Sequence, residues 1–449
     1  MKKRSLSFAK TSFALLLSSI LGFSALPSAH AGPVTSYNGG FSLTSSDSTP
    51  VLKPLWTKTA DIGGAQRLDT FYAQTADGLV FYPAKGKLFA VEASTGRQKW
   101  SVNAKLGSEM VVGSGTIYFI DNSGSLVGLN AKTGGVLWKT KTGITARYGT
   151  YNLALSGGKL IVGSTETLHA YDTATGKRLW KQSTEAVEGG TVYGTYDGVL
   201  VASSVVSGAI MVDQYIGYDI KTGKQLWALG GSYAPLLEQR GGYLYLRDNS
   251  MWANQDYAAI VDKVSVKTGK KAASYSFAQV QDGMYQQADQ VIIDGKYIYV
   301  SMQKYIPNVL QGYSSILYRY ELDKDPKTQK PVAYEDHGDL LAGPYMDRFF
   351  FQRGLQLSYM KFAGQASTSY PEIHNPVSRL DLHGTGIYTG LSDGLFYLID
   401  IPSAKTLGRI DTGGRVYGET LFSDDTVIVQ AENKLIAVKR PSALTDKAQ

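Results

Sequence analysis

A nine-residue unit that returns along the chain constrains its fold more than any other feature. It reads Asp172-Thr-Ala-Thr175-Gly176-Lys-Arg-Leu-Trp180 and again Asp219-Ile-Lys-Thr222-Gly223-Lys-Gln-Leu-Trp227. With the acid relaxed it is Asn130…Thr133-Gly134…Trp138 and Glu92…Thr95-Gly96…Trp100. Weaker copies follow at Ser265…Thr268-Gly269…Ala273, Asp325…Thr328-Gln329…Ala333 and Asp400…Ser403-Ala404…Gly408. A polar residue ends a strand and can bond the turn backbone through its side chain. Gly takes positive φ in the short loop. An alternating strand then ends on Trp, whose amphipathic ring suits a joint between packed sheets. The Thr-Gly pairs recur at intervals of about 38 to 47 residues, the range for four-stranded propeller blades. Trp56, Trp100, Trp138, Trp180 and Trp227, with Gly96, Gly134, Gly176, Gly223 and Gly269, are therefore read as structural repeat positions.

The N-terminus has the pattern of a secretory signal over 1–31. Lys2, Lys3, Arg4 and Lys10 precede an apolar run from Phe13 to Leu26, and Ala29-His30-Ala31 offers small residues for cleavage after Ala31. A secreted, extracytoplasmic location is expected. Residues 32–50 read as a flexible lead-in, 51–440 as the propeller and 441–449 as a tail. No Cys is present, which removes disulfides, thiolate metal sites and lipid attachment at Cys. The charge of +7 includes four basic residues of the signal, so 41 Lys plus Arg face 38 Asp plus Glu afterwards, about +3. With no long basic run, nucleic acid is not an expected partner, and no run beyond the signal is long enough for an integral membrane span.

Between the repeat turns, short alternating strands and Gly-containing hairpins predict four strands per unit, A to D. Units run from Thr70 to Val102, Ser108 to Thr140, Tyr151 to Gln182, Thr191 to Leu229, Tyr233 to Phe277 and about Ala288 to Glu335. Residues 337–376 do not fit and read as an insertion. The pattern resumes over Ser378 to Asp411. The last unit, Val416 to Lys439, has three strands, and Leu52 to Lys58 with Trp56 is expected to supply the fourth and close the ring without an open edge. The reading is an all-β propeller of eight blades, with seven as the alternative count.

Ala170-Tyr-Asp172…Thr175-Gly176…Trp180 matches the A-x-D-x-x-T-G-x-x-x-W signature, and through it the chain resembles the quinoprotein-type (PQQ-like) β-propeller repeat family from about Leu52 to Lys439. That family includes alcohol and glucose dehydrogenases using pyrroloquinoline quinone (PQQ) and Ca²⁺, and a non-enzymatic lipoprotein of outer-membrane β-barrel assembly. The resemblance implies the non-enzymatic branch. The adjacent cysteines of the dehydrogenases are missing, and no stretch matches their calcium and catalytic carboxylate motifs. The expected cofactor set is none. The lipid-bearing Cys of the assembly lipoprotein is missing too.

Other motifs carry little. Gly384-Thr-Gly386 lies in a hairpin with no helix after it, and Asp121-Asn-Ser-Gly124 lacks the Glu that completes a calcium loop. His169 alternates with apolar neighbours and reads as structural. A metal site from His337, His374 and Asp336 or Asp339 has no recognised ligand spacing.

Strand direction places the A–B and C–D turns on one face and the B–C and D–A connections on the other. The longer connections, 207–213, 249–257, 304–313 and 337–376, fall on the second face, and long loops on a rigid scaffold are where binding concentrates. Tyr148, Tyr151, Tyr193, Tyr233, Trp252, Tyr257, Tyr285, Tyr305, Tyr345 and Tyr370 collect there. Tyr148, Tyr193 and Tyr417 each precede Gly near the start of an A strand, with Arg147 and Arg415 beside two of them. Candidate ligand-binding residues are Arg147, Tyr148, Tyr193, Tyr233, Trp252, Tyr257, Tyr285, Tyr305, Tyr345, Arg415 and Tyr417. Rigid amphipathic rings suit sugars or protein surfaces, although Tyr also simply favours strands. The expected function is a secreted, non-catalytic binding protein or scaffold for a protein or cell-envelope polysaccharide. The alternative is an enzyme, either a divergent PQQ-dependent dehydrogenase or a polysaccharide hydrolase or lyase. The residues assign no catalytic role and leave the oligomeric state open.

Overall fold

The computed structural model describes residues 47–61, 72–144, 151–164, 167–183, 191–207, 211–249, 256–281, 287–305, 313–335 and 338–447. The signal reading therefore lies outside the described residues. Among them, no helix is long and apolar enough to cross a membrane.

The described strands form nine antiparallel sheets of four. Eight run in simple A-B-C-D order: blade 1 from Gln74 to Asn103, blade 2 from Val111 to Lys141, blade 3 from Asn152 to Ser183, blade 4 from Val192 to Gly230, blade 5 from Tyr233 to Gln279, blade 6 from Gln290 to Glu335, blade 7 from Asp339 to Ser369 and blade 8 from Val377 to Asp411. Blade 9 combines Leu421–Ser423, Thr426–Ala431 and Lys434–Lys439 with the N-terminal strand Trp56–Thr59, in the register Trp56↔Ala437. The shared closing blade is as expected, but the count of eight, or seven, is corrected to nine. The missing blade is the stretch read as an insertion. Arg348–Arg353 is its B strand, and Phe349, Phe350 and Phe351 are all buried. A middle strand sandwiched between neighbouring blades is apolar on both faces, so it does not alternate. Leu79–Ala84 in blade 1 is likewise buried throughout.

Nine apolar clusters hold the ring, one between each pair of neighbouring blades. Five of these joints use the repeat in one way. The D-strand Trp of one blade lies on the Gly of the next blade's Thr-Gly turn and donates its indole N–H to the carbonyl three residues before that Gly. Trp56 Nε1 reaches Ala93 O at 2.7 Å, Trp100 reaches Ala131 O at 3.0 Å, and Trp138 reaches Thr173 O at 3.1 Å. Trp180 reaches Ile220 O at 3.0 Å and Trp227 reaches Val266 O at 2.8 Å. Gly96, Gly134, Gly176, Gly223 and Gly269 all have φ between 64 and 74°, and each Trp ring occupies the space a side chain there would need. The small residue two before the acid completes the unit. Ala90, Gly128, Ala170 and Gly217 sit opposite the Trp of their own D strand, each just before a register shift.

The turn acid is a backbone clamp. Asp172 Oδ1 accepts from Ala174 N at 3.1 Å, Thr175 N at 2.8 Å and Thr175 Oγ1 at 2.7 Å. Asp219 repeats the arrangement with Lys221 N, Thr222 N and Thr222 Oγ1. Asn130 does so with an amide oxygen. Bonds from Thr175 and Thr222 hold the two Asp carboxyls below their usual range. The tail beyond residue 440 docks rather than trailing: Thr385 N donates to Thr445 O at 2.9 Å, and Arg440 pairs with Asp446.

Candidate functional site

The sheets lengthen over one arc. In blades 1 to 3 the B and C strands have five or six residues. In blade 4, Val199–Ser207 and Met211–Asp219 have nine each, and in blade 6, Tyr297–Tyr305 and Tyr313–Glu321 also have nine each. Between them, Tyr257–Ser265 and Lys271–Gln279 of blade 5 have nine each. The extra length extends towards the B–C and D–A connections. Three adjacent blades therefore raise the face that carries the long connections, while 337–376 leaves that set by forming a blade.

The candidate residues divide. Arg147, Tyr148, Trp252 and Tyr285 lie outside the described residues. Tyr305 ends the long B strand of blade 6, paired with Tyr313. Tyr193 and Tyr233 come together through a third ring, Tyr215: the first pair stacks at 5.0 Å and the second meets edge-on at 6.4 Å. This cluster is core, with Tyr233 only 4% exposed. Tyr417 is also buried, against Gly390 and Phe396, and its hydroxyl bonds Gly414 O at 2.7 Å. Its ring fills the joint between blades 8 and 9. Arg415 keeps an exposed side chain, while its backbone N–H donates to Glu432 at 3.0 Å. Tyr345 ties blade 7 to blade 8 by donating to Gly384 O at 2.7 Å. Tyr151 is half-buried, and Tyr370 is fully buried beside Tyr359. Tyr257 lines an open groove of about 410 Å³ between blades 5 and 6.

Two polar clusters in blade 5 escape reading by motif. Asp262 is fully buried, accepts the Tyr233 hydroxyl at 2.7 Å and pairs with Lys271 at 2.5 Å. Burial first, then the carboxylate beside it, pushes the Tyr233 hydroxyl up to about 12. Burial opposes charge on Lys271, but the bond to Asp262 outweighs it and raises its pKa. The second cluster centres on Asp323, in the C–D turn of blade 6. It accepts Tyr245 at 2.8 Å, Tyr275 at 3.2 Å and Lys263 Nζ at 2.9 Å, all from blade 5. Burial works against the Asp323 carboxylate, yet these three partners leave its pKa lowered. This hub stands where other joints have Trp on Gly, because blade 5 carries Ala273 at the Trp position. The lost Trp was the available sequence signal, but the partners that replaced it follow no spacing.

His169 is buried, bonds Tyr171 at 3.1 Å and is lowered to about 4 by burial and nearby Arg178 and Lys181. His383 stacks on Phe422 at 4.0 Å, and His374 is exposed. His337 and Asp336 lie outside the described residues. Near the A-strand starts, burial and the neighbouring Asp339 raise the Asp289 carboxyl against the opposing charge of Arg247. Arg379 holds Asp381 at 2.6 Å. Among the described residues no three His, Asp or Glu side chains converge as a metal-ligand set.

The family model described as outer membrane protein assembly factor BamB matches residues 52–152 and 145–314. The chain belongs to this family of PQQ-like repeat propellers. The quinoprotein alcohol dehydrogenase PedH of Pseudomonas putida is 28% identical over 207 residues, covering 41% of this chain and 34% of that protein. The outer membrane protein assembly factor BamB of Legionella pneumophila is 38% identical over 96 residues, covering 21% of this chain and 24% of that protein. The matched part spans about a third or less of these relatives' length. The crystal structure of BamB from Moraxella catarrhalis aligns with a TM-score of 0.45 at 12% identity, covering 87% of this chain and all of that one.

Proposed function

We propose that the protein is an extracytoplasmic, non-catalytic propeller that binds a protein partner through the face raised by blades 4 to 6. The observation that carries this reading is the run of nine-residue strands in three adjacent blades, against five or six in blades 1 to 3. Rigid sheets that extend beyond those of the neighbouring blades offer preorganised contact area at low entropic cost. A protein partner is favoured because relatives of this family are named as assembly factors. The same relatives, with the basic and apolar N-terminus, support placement outside the cytoplasm. No cofactor enters this reading.

The test is site-specific photo-crosslinking in the native host. A photoreactive residue is placed at Val205 on the blade 4 hairpin, at half-buried Gln303 near the extended end of the blade 6 B strand, or at exposed Leu355 in blade 7 as the control. A discrete protein adduct from positions 205 or 303, and none from 355, is expected. Equal adducts from all three positions, or none from the first two, would overturn the proposal.

A further inference from the structure

The groove that Tyr257 lines has a build of its own. One wall is the end of the blade 5 D strand, with Ser276, Ala278 and Gln279, and Gln281 follows. The other is the blade 6 C strand, with Tyr318 and Tyr320, and the turn Pro326, Lys327, Gln329 and Pro331. The turn is held rigid in three ways. It contains a short 3-10 helix, Pro326–Thr328, capped by Asp325, which accepts Lys327 N at 3.0 Å. Pro326 is buried inside it. The Gln329 amide closes it, accepting Glu321 N at 2.7 Å and donating to the carbonyls of Glu321 and Lys324 at 3.1 Å. The floor is fixed as well. Ala278 takes a left-handed φ of 54° within a strand, and its N–H donates to the Tyr320 hydroxyl at 3.1 Å. Strained backbone of this kind gathers where a site is held in shape.

Several polar groups on these walls have no protein partner among the described residues. Among the described residues, the side chains of Tyr257, Ser276, Gln279, Gln281 and Tyr318 make no hydrogen bond, although each lines the groove. Lys327 Nζ lies 5.7 Å over the Tyr257 ring. We propose that this groove is a saccharide-binding subsite, with Tyr257 as the stacking ring and the Gln279 and Gln281 amides reading hydroxyls. A sugar hydroxyl both donates and accepts, as do an amide and a phenol, so the groups match in kind. The volume of about 410 Å³ falls within the range of ordinary small-ligand sites, about 300–1,000 Å³. No carboxylate lines the groove and one ammonium overhangs it, so a sugar bearing an acidic substituent is accepted as well as a neutral one. One lysine is too little charge for a nucleotide polyphosphate, and the polar walls do not suit an acyl chain. The 3-10 turn packs along the outer strand of blade 5, so a peptide cannot add to that edge there.

The experiment is ligand-observed saturation-transfer NMR on the full chain, titrating cellobiose, N,N′-diacetylchitobiose and digalacturonic acid. At least one is expected to bind saturably. Tyr257→Ala is expected to weaken it about tenfold, the scale of one lost ring contact. Gln279→Ala, at an exposed position, should weaken it in the same direction and serves as the test should Tyr257→Ala lose its fold by circular dichroism. Lys327→Gln should weaken digalacturonic acid alone. Absence of saturable binding by all three sugars, or binding that survives Gln279→Ala and a folded Tyr257→Ala unchanged, would overturn the assignment.

Discussion

If the Trp-on-Gly contact is what seals five of the joints, a single methyl at the glycine should be felt through the indole. Gly223→Ala is the perturbation. Gly223 has φ of 74°, and a Cβ there would stand 2.5 Å from Trp180 Cδ2 and 2.7 Å from Cε3. Gly198 is the matched control, with φ of 80° and nothing within 4 Å of its Cβ. An L-residue in the left-handed region costs about 1–2 kcal/mol, so Gly198→Ala should cost that and no more. Gly223→Ala adds overpacking of about 1–3 kcal/mol, for a total of about 2–5 kcal/mol. Trp180→Ala alone should cost about 3–5 kcal/mol, since the ring is buried and its N–H leaves Ile220 O unpaired. In the double variant the overpacking has no partner, so adding Gly223→Ala to Trp180→Ala should again cost about 1–2 kcal/mol. The assay is urea unfolding followed by circular dichroism, comparing midpoints at unchanged slope. If Gly223→Ala costs no more than Gly198→Ala, or costs the same with and without Trp180, the indole does not hold the joint through this glycine.

The turn clamps should set the acid limit of the fold. Asp172 and Asp219 have carboxyl pKa values below the ordinary range, held mainly by Thr175 and Thr222, and Glu92 falls to about 2 through Arg97, Thr95 and Lys99. A depressed folded-state pKa contributes stability that is fully present above the unfolded value, about 4, and is lost as pH falls through the folded value. Melting temperature should therefore be flat near neutrality and drop between about pH 4 and 2. Asp172→Asn combined with Asp219→Asn should blunt that drop while keeping the fold, because Asn130 makes the same three bonds; a drop left unchanged would refute the assignment. At the blade 5–6 joint, Asp323→Ala removes one acceptor from three donors and should cost about 1–2 kcal/mol after allowance for its partial exposure, read by urea unfolding. Adding PQQ and Ca²⁺ with primary alcohols should yield no dye reduction, and turnover that depends on both would overturn the non-catalytic reading.

Much of the ring was legible because its joints are local. Asp172, Thr175, Gly176 and Trp180 lie within nine residues, and each does its work through neighbours in the same turn or the next copy. Blade 7 was not legible, because its joints are made by residues with no fixed spacing. Phe349 meets Tyr299 of blade 6 at 4.9 Å and Phe362 at 5.1 Å, while Tyr370 fills the other side. Between blades 8 and 9, Leu52 lies against Gly408, where a Trp would stand opposite a small residue elsewhere. The candidate site was legible only as a face. Tyr193, Tyr233 and Tyr417 share composition and position with surface tyrosines, and only packing separates a ring that fills a joint from one that stands open, as Tyr257 does.

The groove and the failure of the repeat share one cause. A Trp on the D strand needs a short turn with Gly opposite, and five residues, 266–270, make that turn in blade 5. Blade 6 spends ten, 322–331, on the same connection, puts Gln329 where the Gly belongs, and faces Ala273 instead of an indole. With no indole on this turn, Asp323, Lys263, Tyr245 and Tyr275 make a polar contact there, beside the apolar cluster in which Phe277 meets Tyr320 edge-on at 5.3 Å, and the groove lined by Tyr257 opens between the same two blades. The longer turn then walls the gap. Loss of the motif thus replaces the indole on the turn with a polar contact and a longer turn that walls an open groove, beside the arc of lengthened strands.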